Sequence, residues 1–291
     1  QGLATGNNDR FLRLWPEVSI EKCGFGYSTR ALAAGSKKKW FPYSKGGAYK
    51  KWYGNNDYLV NWEFDGAEVK DFLKDKNPNV ARSETYYFKA SVSTSAITAS
   101  ENSYRYYPEG SIFDVNFRSY LDGDFEFLCK LIGFLNSNVV SYLLKYLSPT
   151  MALNKFDLDR LPIFEPSKVE KRYAEELIAL AKYDWDSSET SMDFTHLPWI
   201  VASILGSSAE KSWNAWSADR NESFLRMKTL EEENNRTFIT AFGLEEELNS
   251  KVPEEQITLT RADRVNDSQR LISYAIGCMM GRYSLDEPGL I

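Results

Sequence analysis

The sequence predicts an α+β protein, β-rich with long loops over residues 1–165 and α-helical over residues 166–291. Three observations predict it. Short aromatic and β-branched runs bounded by Gly, Pro and Asn recur up to residue 118, the signature of short strands. From Phe125 onward, apolar residues instead recur at helical spacing: Leu128, Leu131, Ile132 and Leu135, then Val140, Leu143, Leu144 and Leu147. Thirdly, Ser167-Lys168-Val169-Glu170 after Pro166 reads as a capping box that opens a helical region. The chain has 291 residues, enough for about two units that each bury a core.

In order, GLATGNNDRFLRLW (2–15) reads as a turn-rich loop entering a short buried strand that Pro16 ends. Residues 35–56 read as loop and hairpin, punctuated by Gly35, Gly46-Gly47 and Gly54. YLVNW (58–62) is a strand followed by a turn at Asp65-Gly66, and 68–75 a short helix before Pro78. YYFK (86–89) reads as an aromatic strand. The stretch 91–103 holds seven Ser/Thr and a single charge, and reads either as a solvated loop or as a surface of small hydrogen-bonding groups. Strands are expected again at 104–107 and 112–115, around Pro108-Glu109-Gly110. Two helices follow at 125–135 and 137–147, with Asn136 or Ser137 capping the second. Residues 151–166 read as mostly extended. The helix from Ser167 is expected to reach about Tyr183, a long one to run from Arg220 to Ala241 and close at Gly243, and a last one to run from a capping box at Thr260–Asp263 to about Met280.

Charge is distributed unevenly. The net charge is −6, yet residues 1–118 carry 17 Lys/Arg against 13 Asp/Glu and residues 119–291 carry 18 against 28. Within 22–56 there are eight basic residues, eight aromatics and no Asp or Glu. An acidic chain with one uncompensated, Gly-rich and aromatic basic stretch is suited to an anionic partner there. Lysines neutralise phosphates, and aromatics between them stack on bases or support the loop. The bland alternative is a solvated lysine face over an aromatic core, which is the main role expected of Trp40 and Trp52.

Several classes find little support. The cysteines Cys23, Cys129 and Cys278 lie far apart without a CxxC, so neither a disulfide framework nor a zinc site is indicated, and a reducing compartment fits. No apolar run approaches a membrane span, and no signal-peptide pattern is present. His196, the single histidine, sits beside apolar residues and reads as a packing residue. Asp57, Glu68 and Lys70 follow the order of a Mg²⁺-dependent nuclease motif, but residues this common produce such spacing often. The start at Gln1 suggests a fragment of something longer.

Particular strings carry a resemblance. GLATGNNDRFLRLW (2–15), KKWFPYSKGGAYKKWYGNNDYLVNWEFDG (38–66), YRYYPEGSIFDV (104–115) and ISYAIGCMMGRYSLDEPGL (272–290) resemble the C-terminal half of the BREX phage-defence adenine-specific DNA methyltransferases. More distantly they resemble the fused type IIG restriction–methylation enzymes. LIGFLNSNVVSYLLKYLSPT (131–150) with NKFDLDRLPIFEP (154–166) is similar to the module that closes a target recognition domain in type I restriction specificity subunits and leads into a spacer helix. Together these strings extend over nearly the whole chain.

The resemblance implies a division of labour. A catalytic domain binds S-adenosylmethionine and receives a flipped adenine at an Asn/Asp-Pro-Pro-Tyr/Phe motif, while a target recognition domain reads the sequence. Neither that tetrapeptide nor a glycine-rich cofactor loop occurs here, and Asn77-Pro78-Asn79 is the nearest approach. The expectation is therefore a DNA target recognition domain (1–165) followed by a helical spacer and support region (166–291). It would bind double-stranded DNA without transferring a methyl group, and would have no catalytic residue, metal or cofactor of its own. Lys37, Lys38, Lys39, Lys45, Lys50 and Lys51 are the expected phosphate contacts. Thr5, Asn7, Asn8, Tyr43, Asn55, Asn56, Ser93, Thr94, Ser95 and Arg105 are the candidate base readers, although turn chemistry accounts for the asparagines as well. The implied partners are DNA, the catalytic domain of a parent methyltransferase, and other BREX subunits or a DNA-mimicking phage inhibitor, in the cytoplasm. The alternative classes are a protein-docking module and the Mg²⁺ nuclease.

Overall fold

Why two small sheets form rather than one follows from the shortness of the strands, which reach five residues at most among those described. The computed structural model describes residues 2–76, 80–96, 103–121, 123–148, 153–162, 171–200 and 208–290. Its principal elements are α1 (Asn8–Phe11), β1 (Leu12–Leu14), α2 (Arg30–Gly35), β2 (Trp40–Ser44), β3 (Tyr58–Asn61), α3 (Glu63–Leu73), β4 (Ser91–Ser95), β5 (Arg105–Tyr107), β6 (Ile112–Phe113) and β7 (Phe117–Tyr120). They continue as α4 (Phe125–Leu135), α5 (Asn138–Leu147), α6 (Lys155–Asp159), α7 (Arg172–Asp186), α8 (Ala209–Phe242) and α9 (Arg264–Met279). The fold is mixed α+β, as the sequence predicts.

The first sheet has the order β1-β3-β2-β6, with β3 antiparallel to both neighbours and β6 parallel to β2. Phe41 faces Val60 across β2 and β3, and with Tyr43, Leu12, Trp62, Phe88 and Phe113 they build one core. The opposite face of the sheet packs Trp40 and Leu59 against Trp15 and Cys23. The alternation of β2 and β3 therefore serves two apolar layers, which is why both strands are buried along their length. Pro42 is tolerated because β6 reaches β2 only at Tyr43 and Ser44, beyond the residue that has no N–H to donate. The second sheet, β5-β4-β7, is antiparallel throughout.

Helices α4, α5, α7 and α8 bury Leu128, Ile132, Val140, Leu177, Met227 and Phe238 in one core, which Val92 of β4 joins together with Trp52 and Tyr104. Side-chain caps set the helix starts: Asp124 accepts from the Phe127 amide, Ser137 from Val140, Ser208 from Lys211 and Asp263 from Asn266. Gly243, with φ at 64°, closes α8 in the left-handed conformation. No single helix among the described residues is long and apolar enough to cross a membrane.

Several local expectations are corrected. Residues 86–89 form no strand. A 3-10 turn at Glu84–Tyr86 leads to Phe88 with φ of 71°, so that consecutive Tyr87 and Phe88 enter the same core, which strand alternation forbids. Thr29 caps α2 in a stretch with no clear pattern. Helix α3 is entered at Glu63 through left-handed Phe64, Asp65 and Gly66. Residues 155–159 form α6 on an Asn154–Asp157 capping box instead of extended chain. Helix α8 begins at Ala209, well ahead of Arg220, and α9 is capped by Asp263, because Thr260 is bonded to Asp184. The capping box at Ser167, Asn77-Pro78-Asn79 and residues 97–102 lie outside the described residues.

Candidate nucleic-acid interface

The basic stretch 22–56 does not form one patch. Strand β2 runs through it and holds the Lys39 and Lys45 backbones about 20 Å apart, six steps at ~3.3 Å per residue. Lys37, Lys38 and Lys39 precede β2. Lys37 is exposed, Lys38 Nζ donates to the Glu21 carbonyl at 2.5 Å, and Lys39 Nζ lies 3.6 Å from Glu63. Lys45 follows β2, with its Nζ 4.9 Å over the Tyr58 ring and no ion-pair partner among the described residues.

Lys50 and Lys51 are taken up by the fold, each paired with a carboxylate of the helical region. Lys51 is 5% exposed and ion-paired with Glu231 on α8. The other Glu231 oxygen accepts from Trp52 Nε1 at 2.7 Å. Lys50 Nζ lies 3.3 Å from the Asp184 carboxylate and donates to the Thr258 carbonyl at 3.2 Å. The acids missing from the stretch are thus supplied in part by α7 and α8. A buried carboxylate demands such a cation, since desolvated charge is tolerated only when paired.

The candidate base readers divide the same way. Tyr43 is buried, and its hydroxyl lies between two acceptors, the Leu3 carbonyl at 3.0 Å and Asp114 Oδ2 at 2.8 Å. Burial first, then the Asp114 charge, raises its pKa well above the usual phenol range. Asn55 is buried at φ 59° and bonds the Ala48 carbonyl at 2.9 Å. Ser93 and Thr94 are interior to the second sheet, and Ser93 Oγ bonds Ser119 Oγ at 2.8 Å. Arg105 is 1% exposed and donates to the Tyr107 hydroxyl at 2.9 Å and the Lys50 carbonyl at 3.2 Å. All five are buried. Asn7 caps α1, accepting from the Arg10 amide at 3.0 Å, and Asn56 lines a separate aromatic pocket of about 140 Å³ with Tyr53 and Tyr107.

Thr5, Asn8, Lys45 and Ser95 do come together, on one open cleft of about 540 Å³ completed by Gly46, Gly47 and Asn116. The glycines permit the close approach: a Cβ on Gly46 would meet Ser95 Oγ at 3.0 Å, and one on Gly47 would meet the Asn55 side chain at 2.8 Å. A neighbouring cleft of about 470 Å³ shares Asn8 and Lys45 and adds Arg13. Sequence reading missed Asn116 and Arg13. The Asp114-Val115-Asn116 spacing was the available signal, because Asp114 Oδ1 accepts from the Asn116 amide at 2.6 Å in an Asx turn.

The nuclease arrangement is not assembled. Glu68 binds Arg10 at 2.9 Å and Asn61 at 2.7 Å, at the end of β3 remote from Asp57. Lys70 is held 3.1 Å from both Asp65 and Glu84. The Arg10 bond, helped by Asn61, keeps the Glu68 carboxyl below its usual range, whereas burial raises that of Asp57. No metal-binding cluster of His, Cys, Asp and Glu occurs among the described residues.

The class of protein that this chain is similar to is the adenine-specific methyltransferases. In particular, it is 37% identical over its whole length to the adenine-specific methyltransferase PglX of Lacticaseibacillus casei (strain Zhang). It is likewise 30% identical to the adenine-specific methyltransferase BrxX of Escherichia coli O9:H4 (strain HS). In both cases the match takes up 24% of the relative, so the chain spans about a quarter of the length of these curated relatives. No family model matches.

Proposed function

We propose that this chain reads the DNA target of a BREX-type adenine-specific DNA methyltransferase and carries out no methyl transfer itself. The observation that carries the reading is the full-length similarity to adenine-specific methyltransferases in a chain that lacks the Asn/Asp-Pro-Pro-Tyr/Phe tetrapeptide. S-adenosylmethionine and the flipped adenine then belong to the part of such a protein that this chain does not span. Support comes from the surface lysines outside the core, Lys37–Lys39 and Lys45, and from the cleft beside Lys45. Residues 1–165 would hold the DNA, and 166–291 would act as spacer and support.

A chain swap tests this. Exchanging the segment for its counterpart in a methyltransferase of different specificity should transfer the methylated motif, read by methylome sequencing. A motif that stays with the rest of the enzyme would overturn the reading. A second reading, docking of other defence subunits, is favoured by the exposed apolar stripe Val265, Ile272, Ile276 and Met279 on α9, and it predicts loss of subunit capture, with the motif unchanged, when that stripe is made polar.

A further inference from the structure

Asn116 presents a polar side chain on the 540 Å³ cleft. Its backbone is fixed from both sides: its N–H bonds Asp114 at 2.6 Å, and its carbonyl accepts from the Ala96 amide at 2.7 Å. Asp114 is itself fixed by the buried Tyr43 hydroxyl at 2.8 Å. Yet the Asn116 side chain is exposed, and no bond among the described residues engages its carboxamide. A rigid turn that presents a free carboxamide is preorganised for recognition, because little ordering remains to be lost on binding. Elsewhere on the cleft, Asn8 has its oxygen committed to the Thr5 hydroxyl at 2.6 Å, which leaves its NH₂ to donate. Lys45, beside Gly46 and Gly47, supplies the positive charge.

The dimensions suit an edge rather than an enclosed small molecule. The cleft is open and continues through Asn8 and Lys45 into the cleft that Arg13 lines together with Asp9 and Glu17, giving a polar track on which Lys45 and Arg13 are the cations. A carboxamide pairs bidentately with the N6 and N7 of adenine in the major groove, while a lysine holds phosphate without regard to sequence.

Resting on the target-reading function above, we infer that Asn116 is a specificity-determining residue that reads a base edge, with Asn8 supporting it across the cleft and Lys45 carrying a neighbouring phosphate. The test uses the full-length methyltransferase that contains this chain. Asn116→Ala should lower the preference for target over non-target duplex on the order of tenfold or more, relax one position of the methylated motif, and leave the salt dependence unchanged. Lys45→Ala should weaken both duplexes alike and reduce the salt slope by about one. Asn116→Ser, which keeps a short polar side chain at this exposed position while Asp114 still holds the turn, serves where the alanine variant unfolds. If both Asn116 variants fold and keep the full motif and preference, the inference fails while the target-reading function stands. That function fails separately if the chain swap leaves the motif in place.

Discussion

Glu231 lies on α8 with 3% of its surface exposed, and Lys51 and Trp52 occupy its two oxygens. A carboxylate so buried is tolerable only while its cation remains. Glu231→Gln should therefore destabilise the protein by about 3–5 kcal/mol, because it leaves the Lys51 ammonium desolvated and unpaired. Replacing both members, Lys51→Met with Glu231→Leu, should recover part of that loss, the remainder being the buried Trp52 N–H left without its acceptor. Denaturant unfolding of these two variants beside the parent protein tests the coupling, and equal losses in the single and double variants would refute it. At this scale Lys51 could not be told from Lys45 in the sequence. Each is a lysine in a Gly-rich, acid-free stretch, and the group that distinguishes them sits on a helix 180 positions downstream. The same holds for Asn55 and Arg105, which bond within the fold: residue type announces what a side chain can bond, but the partner already within reach is a property of the fold.

Among elements, the junction of α2 and α3 is held by charge. Asp65 and Glu84 face Arg30 and Lys70 in a four-member network. Burial alone would push the Asp65 carboxyl up, but its bonds to Arg30 and Lys70 outweigh this and leave it below its ordinary 3.8. A depressed folded-state value means that its contribution to stability is fully present above about pH 4 and is lost as pH falls through the lower value. Thermal unfolding followed from about pH 6 to about pH 2 should show this loss, and Asp65→Asn should make the acid limb shallower. An identical limb in that variant would show that the network contributes nothing to acid stability. Helices α4 and α5 were legible because each repeats its apolar residues at helical spacing behind an Asp124 or Ser137 cap. Helix α6 and the 3-10 turn at Glu84–Tyr86 were not, since segments so short hold too few turns to display a period. Strand β4 was equally hidden. Its Ser and Thr residues read either as a solvated loop or as a surface of small hydrogen-bonding groups, yet they are largely buried, and Ser93 bonds Ser119 across the strands.

Across the whole molecule, acidity concentrates in the later half while Lys37–Lys39 stay outside the core before β2. If these three meet DNA, reversing them to Glu should weaken duplex binding and flatten its salt dependence by up to about one log unit of slope for each phosphate no longer neutralised. Titration at several salt concentrations reads this, and an unchanged affinity and slope would remove the triple lysine from the interface. The mixed α+β class, the helical signature from Asp124 onward, the unusual basic stretch and the resemblance to adenine-specific methyltransferases are all legible in the chain alone, because local periodicity, composition or contiguous strings carry them. Folding in three dimensions settles the rest: the basic stretch is divided by β2, Lys50 and Lys51 serve the core, and Thr5, Asn8, Lys45, Ser95 and Asn116 share one cleft. The cleft joins four segments well separated in the chain. Their convergence depends on how β2 pairs with β6 and β4 with β7, a non-local pairing that no local pattern encodes.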